Sequence, residues 1–137
     1  RVVALASLAP GAWFLFGPDG ENLQNTVPAL MIGATQDTVL EYETEFLPTA
    51  ERVAAPKRVV TLREAGHWGF SDMCALVPVF EDCQGAESGY MDPARTMSLT
   101  QFATTLHLGW YLTHDPAYAP ELWEEWTGGD FDVVSSE

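Results

Sequence analysis

Two side chains that perform acid–base chemistry lie just past two short apolar runs. Asp37 follows the first run, residues 27–33, and His67 follows the second run, residues 57–62. A carboxylate can hold an imidazole in one tautomer and stabilise the imidazolium that forms when the ring accepts a proton. Histidine also titrates near neutral pH, which suits it to general-base catalysis. The pair therefore predicts an acid–base unit that activates a hydroxyl group or a water molecule for attack.

Buried strands of a parallel sheet are the elements that would position this pair. Short apolar runs bounded by turn residues are typical of such strands. The intervening residues 42–55 place apolar side chains at three- and four-residue steps, which predicts the crossover helix that a parallel pair requires. Pro48 predicts a kink in this helix or its division into two pieces. Because ligands bind beyond the carboxyl ends of strands in open α/β sheets, we expect Asp37 and His67 side by side at one edge.

Two motifs resemble the C-terminal part of an α/β-hydrolase. They are V-P-A-L-M-I-G-A-T-Q-D-T-V at residues 27–39 and G-H-W-G-F at residues 66–70. The likeness is to esterases of the dienelactone hydrolase and platelet-activating-factor acetylhydrolase-like group. It implies that Asp37 is the triad acid after the seventh strand and that His67 is the triad base after the eighth. It also implies that residues 1–137 are the C-terminal portion of one α/β-hydrolase domain, with three parallel strands and flanking helices, completed by a missing N-terminal half.

The serine nucleophile of such a triad is not in this sequence. No G-x-S-x-G elbow occurs, since residues 85–89 read G-A-E-S-G, with the serine one place too late and downstream of His67. The resemblance therefore implies a serine-dependent carboxylic ester hydrolase whose nucleophile and oxyanion hole lie on another segment. That segment would be a separate chain or the missing part of the same protein, so we expect this chain alone to be inactive. The expected substrate is a small ester, and no cofactor or metal is expected.

Two alternatives stay open at this point. A non-catalytic hydrolase-fold fragment or binding module would account for the missing serine, although the intact Asp37/His67 pair argues against it. A thioesterase or a dehalogenase-like hydrolase would share the fold and the histidine. The nucleophile would distinguish a dehalogenase from an esterase, because dehalogenases carry an aspartate at that position.

Aromatic residues near the pair are candidates for substrate binding. In the family that the chain resembles, a lid or acyl-pocket wall is often inserted between the sixth strand and the acid strand, where Trp13 and Phe14 lie. Trp68 directly follows the candidate base. We predict that Trp13, Phe14 and Trp68 line an apolar ester pocket, with packing against the sheet as the alternative.

Charge and cysteine content limit the partners and the compartment. The chain has 20 acidic residues, only 6 basic residues and a net charge of −14, which excludes the basic patch that nucleic-acid binding requires. No apolar run is long enough for a transmembrane segment. Cys74 and Cys83 lack the C-x-x-C spacing of metal sites. We predict a local disulfide between them, as in a secreted or periplasmic protein, with two reduced cysteines as the alternative.

The remaining patterns predict the outer elements of the domain. Residues 2–8 predict a buried strand, the sixth of the family. In the family that strand pairs on its outer side with the strand preceding the nucleophile, so we expect a companion segment to cover it. The capping-box sequence S-L-T-Q at residues 98–101 predicts the start of a helix over residues 99–113.

Shorter elements are predicted around this helix. His107 is expected on its surface and His114 at its end. Short helices are expected at residues 71–77 and 120–126. Residues 128–137 predict a flexible acidic tail.

Overall fold

A computed structural model describes residues 2–11, 26–54, 56–119, 123 and 129–136. These residues form one mixed sheet of four strands with helices on both faces. The strands lie in chain order and are β1 (Leu5–Leu8), β2 (Ala29–Ala34), β3 (Lys57–Leu62) and β4 (Phe131–Ser136). The general α/β fold expected from the sequence is therefore confirmed.

The first three strands are parallel, as predicted. Ala29 of β2 pairs with Lys57 of β3, and Ala34 pairs with Leu62, so the carboxyl ends of β2 and β3 lie level. β3 has the predicted bounds, and β2 lies close to the predicted residues 27–33. This register brings the loops after both strands to the same edge of the sheet.

The core has one apolar layer on each face of β2, which is buried along its whole length. Alternate side chains of a strand point to opposite faces, so Leu30 and Ile32 face one layer and Met31 the other. The first layer contains side chains from α3 (Pro93–Thr113), and the second contains side chains from α1 (Leu47–Arg52). The helices thus cover both faces of the sheet and bury β2 between them.

The crossover between β2 and β3 has two pieces, as Pro48 predicted. A π-helical turn, Tyr42–Phe46, leads directly into α1, where Pro48 lies in the first turn and needs no intrahelical donor. The Phe46 ring packs directly against Gly33, where a Cβ atom would lie 2.5 Å from Phe46 Cδ1. The crossover can therefore pack this closely on β2 because position 33 has no side chain.

The first strand is shorter and less buried than the sequence predicted. Only Leu5–Leu8 pair with β2, and their side chains are half-buried or exposed rather than buried. Val2 and Val3, which precede the strand, are exposed. Within the described ranges β1 is an edge strand, with β2 as its one neighbour.

The predicted acidic tail differs from the structure over most of its length. Phe131–Ser136 form β4, which pairs antiparallel with β3. Phe131 is buried, and Arg63 donates from Nε to Asp132 Oδ2 at 3.0 Å and from Nη1 to the Gly129 carbonyl at 2.7 Å. Phe131 and Val133, two residues apart, both pack into the core, and this two-residue spacing is a strand pattern that the acidic content of the segment obscured.

The longest helix, α3, begins before the predicted residue 99. Asp92 is its N-cap and accepts hydrogen bonds at Oδ1 from the backbone N–H groups of Ala94 (2.7 Å) and Arg95 (3.3 Å). Pro93 occupies the first turn, where its missing donor costs nothing. Ser98 is inside the helix and donates to the Ala94 carbonyl at 2.8 Å. The capping-box prediction was therefore wrong, because the Asp-Pro pair starts the helix at Pro93, about one and two-thirds turns earlier.

His107 is buried, with 2% of its surface exposed, and its predicted surface position was wrong. It continues a buried stripe that contains polar side chains, Thr96 and Thr100, as well as Ala103. His114 does lie at the helix end, in the left-handed conformation. No helix in the described part of the chain is long and apolar enough to cross a membrane.

Two predicted short helices have different outcomes. The one predicted at residues 71–77 is present as α2 (Met73–Leu76), preceded by a 3₁₀ turn at His67–Phe70. The one predicted at residues 120–126 lies outside the described residues, apart from residue 123.

Candidate active site

The turn after β2 is attached by backbone hydrogen bonds to the loop after β3. The N–H group of Thr35 donates to the Leu62 carbonyl and that of Gln36 to the Ala65 carbonyl, each at 3.0 Å. Asp37 N–H donates back to the Ala34 carbonyl at 3.2 Å and closes the turn. These bonds carry the parallel register of β2 and β3 past the strand ends, so the two loops stay adjacent.

The Asp37 carboxylate is buried and fully engaged. Its side chain is 1% exposed, and Oδ1 accepts from the backbone N–H groups of Val39 at 2.9 Å and Leu40 at 2.7 Å. A buried carboxylate requires such donors to offset its lost hydration. Because Oδ1 is held by the backbone, Oδ2 has a fixed direction and is left to face His67.

His67 contacts that oxygen directly. Its Nδ1 atom lies 2.8 Å from Asp37 Oδ2, which confirms the predicted contact between these side chains. An ionised carboxylate can only accept, so Nδ1 carries the hydrogen, and Nε2 of the neutral ring has a free lone pair. The side chain is 19% exposed, and no described residue forms a hydrogen bond with Nε2. The ring is thus oriented on one side and available as a base on the other.

Trp68 lies beside the candidate base. Its ring meets the His67 ring edge to face, with centroids 4.9 Å apart, and stacks on Phe80 at the same separation. Trp68 and Phe80 therefore form an aromatic wall next to His67. Trp13 and Phe14, the other predicted pocket residues, lie outside the described residues.

A further contact, which the sequence analysis missed, involves Asp82. Its Oδ2 atom accepts a hydrogen bond from the Trp68 backbone N–H at 2.8 Å. A Cβ atom at Gly66 would overlap the Asp82 side chain. Asp82 therefore touches the chain on both sides of His67. The one feature of the sequence that could have pointed to this contact is the position of Asp82 next to Cys83.

The predicted disulfide between Cys74 and Cys83 is present, with an S–S distance of 2.05 Å. It closes the loop that carries Phe80 and Asp82 back to the histidine turn. Disulfides persist in oxidising compartments, so the bridge is consistent with an extracellular or periplasmic location.

Removing this bridge should reduce stability. The Cys74→Ser/Cys83→Ser variant should lose about 2–3 kcal/mol of unfolding free energy, because a short closed loop restricts the unfolded chain. Urea unfolding of the oxidised wild type and the variant measures this difference, and Glu87→Gln, an exposed change outside the closed loop, provides the control. Equal unfolding midpoints would show that the bridge does not stabilise the fold.

A polar cleft of about 390 Å³ lies against the Asp37 turn and does not include His67 in its lining. Glu41 and Glu43 contribute to its wall, together with Tyr90, whose pKa is raised by partial burial and by the nearby carboxylates of Glu81 and Asp82. The cleft is acidic and contains no base. A reacting group would therefore approach from the Nε2 side of His67 rather than through this cleft.

Comparison with known proteins adds no family: no protein-family model matches the chain, and no curated protein matches it.

Proposed function

We propose that this chain supplies the acid and the base of a Ser-His-Asp triad in a carboxylic ester hydrolase. The observation that carries the proposal is the 2.8 Å contact between Asp37 Oδ2 and His67 Nδ1. The carboxylate is buried and held by two backbone donors, while the opposite nitrogen of the ring has no partner in the described chain. This is the arrangement that a general base paired with an orienting acid requires.

The nucleophile in this proposal is a serine on a companion segment. Nε2 of His67 takes the hydroxyl proton as the serine oxygen attacks the ester carbonyl, and the imidazolium returns that proton to the departing alcohol. Water then enters, loses a proton to Nε2 and attacks the acyl-enzyme, and the imidazolium gives that proton to the serine oxygen as the carboxylic acid departs. Asp37 stays ionised throughout and stabilises the imidazolium.

The outer side of β1 supports a companion segment. Among the strands of the described residues β1 lies at the edge of the sheet, with exposed Val2 and Val3 before it, and soluble proteins avoid exposed apolar strand edges. In the α/β-hydrolases that the sequence resembles, the strand preceding the nucleophile pairs at this position. A segment bearing G-x-S-x-G would add to the sheet beside Leu5–Leu8 and bring its serine towards the edge where His67 lies.

Reconstitution tests this proposal. The 137-residue chain alone should not hydrolyse p-nitrophenyl esters, and adding the companion segment should produce activity. Intact-mass analysis of the native material identifies the companion, and labelling with a serine-reactive fluorophosphonate locates the nucleophile. A monomeric, folded and fully active chain would contradict the proposal, whereas an assembled protein that neither hydrolyses esters nor takes up the label would favour the non-catalytic alternative.

A further inference from the structure

Two carboxylates hold His67 in place: one contacts the ring, and the other contacts the backbone beside it. Asp37 holds the ring through Nδ1. The backbone that carries the ring is held separately, because the Trp68 N–H donates to Asp82 Oδ2 at 2.8 Å. This N–H lies in the first turn of the 3₁₀ segment His67–Phe70, where donors have no partner within the helix. The Asp82 carboxylate thus caps the turn that begins with the candidate base.

Close packing supports the same role. Gly66 is buried, and the three atoms nearest to a Cβ built there all belong to the Asp82 side chain. The backbone conformation of Gly66 is extended, with φ −107°, which any residue adopts, so the glycine is needed for space rather than for flexibility. Asp82 therefore restricts movement of the chain immediately before and immediately after His67.

The disulfide determines where Asp82 lies. Cys83 follows Asp82 directly and is bonded to Cys74, which belongs to the helix α2 just beyond the histidine turn. Within the closed loop, Phe80 also stacks on Trp68. The disulfide thus holds the loop, with Phe80 and Asp82, against the histidine turn that precedes it.

We propose that Asp82 is a positioning residue for His67, held in place by the adjacent Cys74–Cys83 bridge. This inference rests on the proposed function in one respect, namely that His67 is the base. Without the Asp82 acceptor the Trp68 N–H would lose its partner, and the turn could rotate the ring away from Asp37. Reduction of the bridge should have the same effect, so the proposed base is sensitive to the redox state of the protein.

The test follows the His67 ring itself in the full 137-residue chain. A proton shared between Nδ1 and a carboxylate gives a low-field NMR resonance that exchanges slowly with water. In Asp82→Ala, exchange of this proton should be roughly tenfold faster or the resonance should disappear, as expected for the loss of one charge-assisted hydrogen bond. Asp82→Asn keeps an acceptor and should preserve most of the signal. Glu81→Gln changes the neighbouring exposed acid and should leave it unchanged.

The outcomes separate positioning from stability. A folded Asp82→Ala chain with a lower unfolding midpoint but an unchanged resonance would overturn the proposal, since Asp82 would then stabilise the loop without orienting the ring. If Asp82→Ala does not fold, reduction of the wild-type bridge decides: faster exchange of the His67 proton supports the proposal, and an unchanged resonance overturns it. Reduction of the bridge in the Asp82→Ala variant should not make exchange of the His67 proton faster than the substitution alone does.

Activity provides an independent measurement. In the assembled hydrolase Asp82→Ala should lower kcat by up to about 100-fold with little change in KM, because misorientation of the base affects the reaction more than binding. A wild-type assembly without ester hydrolysis would refute the proposed function, while the NMR result would still decide the positioning role.

Discussion

If the proposed hydrolase assembles, replacing His67 with alanine should lower its kcat by about 10⁶-fold, because no other described group at the site would accept the proton of the proposed serine. Of the three histidines in the chain, His67 is the one in contact with Asp37, while His107 is buried in the helix layer and His114 is exposed at the end of α3. The measurement is steady-state hydrolysis of a p-nitrophenyl ester.

Asp37→Asn should lower kcat by about 10⁴-fold while the fold is retained. An amide can replace the carboxylate sterically, but it does not stabilise an imidazolium and can hold the ring in the wrong tautomer. His114→Asn is the matched control, because asparagine tolerates the left-handed conformation at that position, and it should keep full activity. Wild-type rates in His67→Ala or Asp37→Asn would exclude the triad assignment.

Acid should destabilise the chain through His107. Burial, together with the nearby positive charge of Arg58, lowers the pKa of His107 to about 4, although the backbone near Pro28 and Leu5 partly opposes this. The His107 ring packs edge to face against Tyr111, with centroids 5.0 Å apart. The folded protein therefore holds this imidazole neutral, whereas the unfolded chain protonates it near its ordinary pKa of about 6.5.

The direction of the pH effect follows from proton uptake. The unfolded state binds the additional proton, so the stabilisation is present above about pH 6.5 and is lost as the pH falls from there towards 4. The full loss, reached below about pH 4, should amount to roughly 3–4 kcal/mol of unfolding free energy, because a difference of one pKa unit between the two states is worth about 1.4 kcal/mol.

Urea unfolding at pH 7.0, 5.5 and 4.5 measures this loss. Carboxylates elsewhere also titrate in this range, so the informative quantity is the difference between the wild type and His107→Leu, which cannot take up the proton. The variant should lose less stability than the wild type on acidification, while exposed His114→Asn should behave like the wild type. Parallel losses in all three proteins would show that His107 does not couple folding to pH.

The central part of the fold could be predicted from local patterns. The apolar runs that became β2 and β3 are short, bounded by turn residues and joined by an amphipathic crossover, which together require a parallel pair. The contact between Asp37 and His67 then followed from chain direction alone, because parallel strands end at the same edge. The disulfide could be predicted because the two cysteines are close in sequence.

Predictions failed where a residue's surroundings come from distant parts of the chain. His107 was predicted on the surface of α3 because it is polar, but the structure buries it, together with Thr96 and Thr100. The acidic C-terminal segment read as a tail because its partner strand, β3, lies far away in the sequence. Helix periodicity and composition describe one segment at a time and contain no information about which segment covers it.

Local spacing in the sequence was enough to predict the contact between Asp37 and His67, the parallel strands that bring them together and the bridge between the two cysteines. Only the tertiary structure decided that Asp82 contacts the Trp68 backbone, that Gly66 leaves space for it and that His107 is buried close to Arg58. These contacts join residues from separate elements, and their free energy depends on burial and on distances that exist only once the elements have packed together.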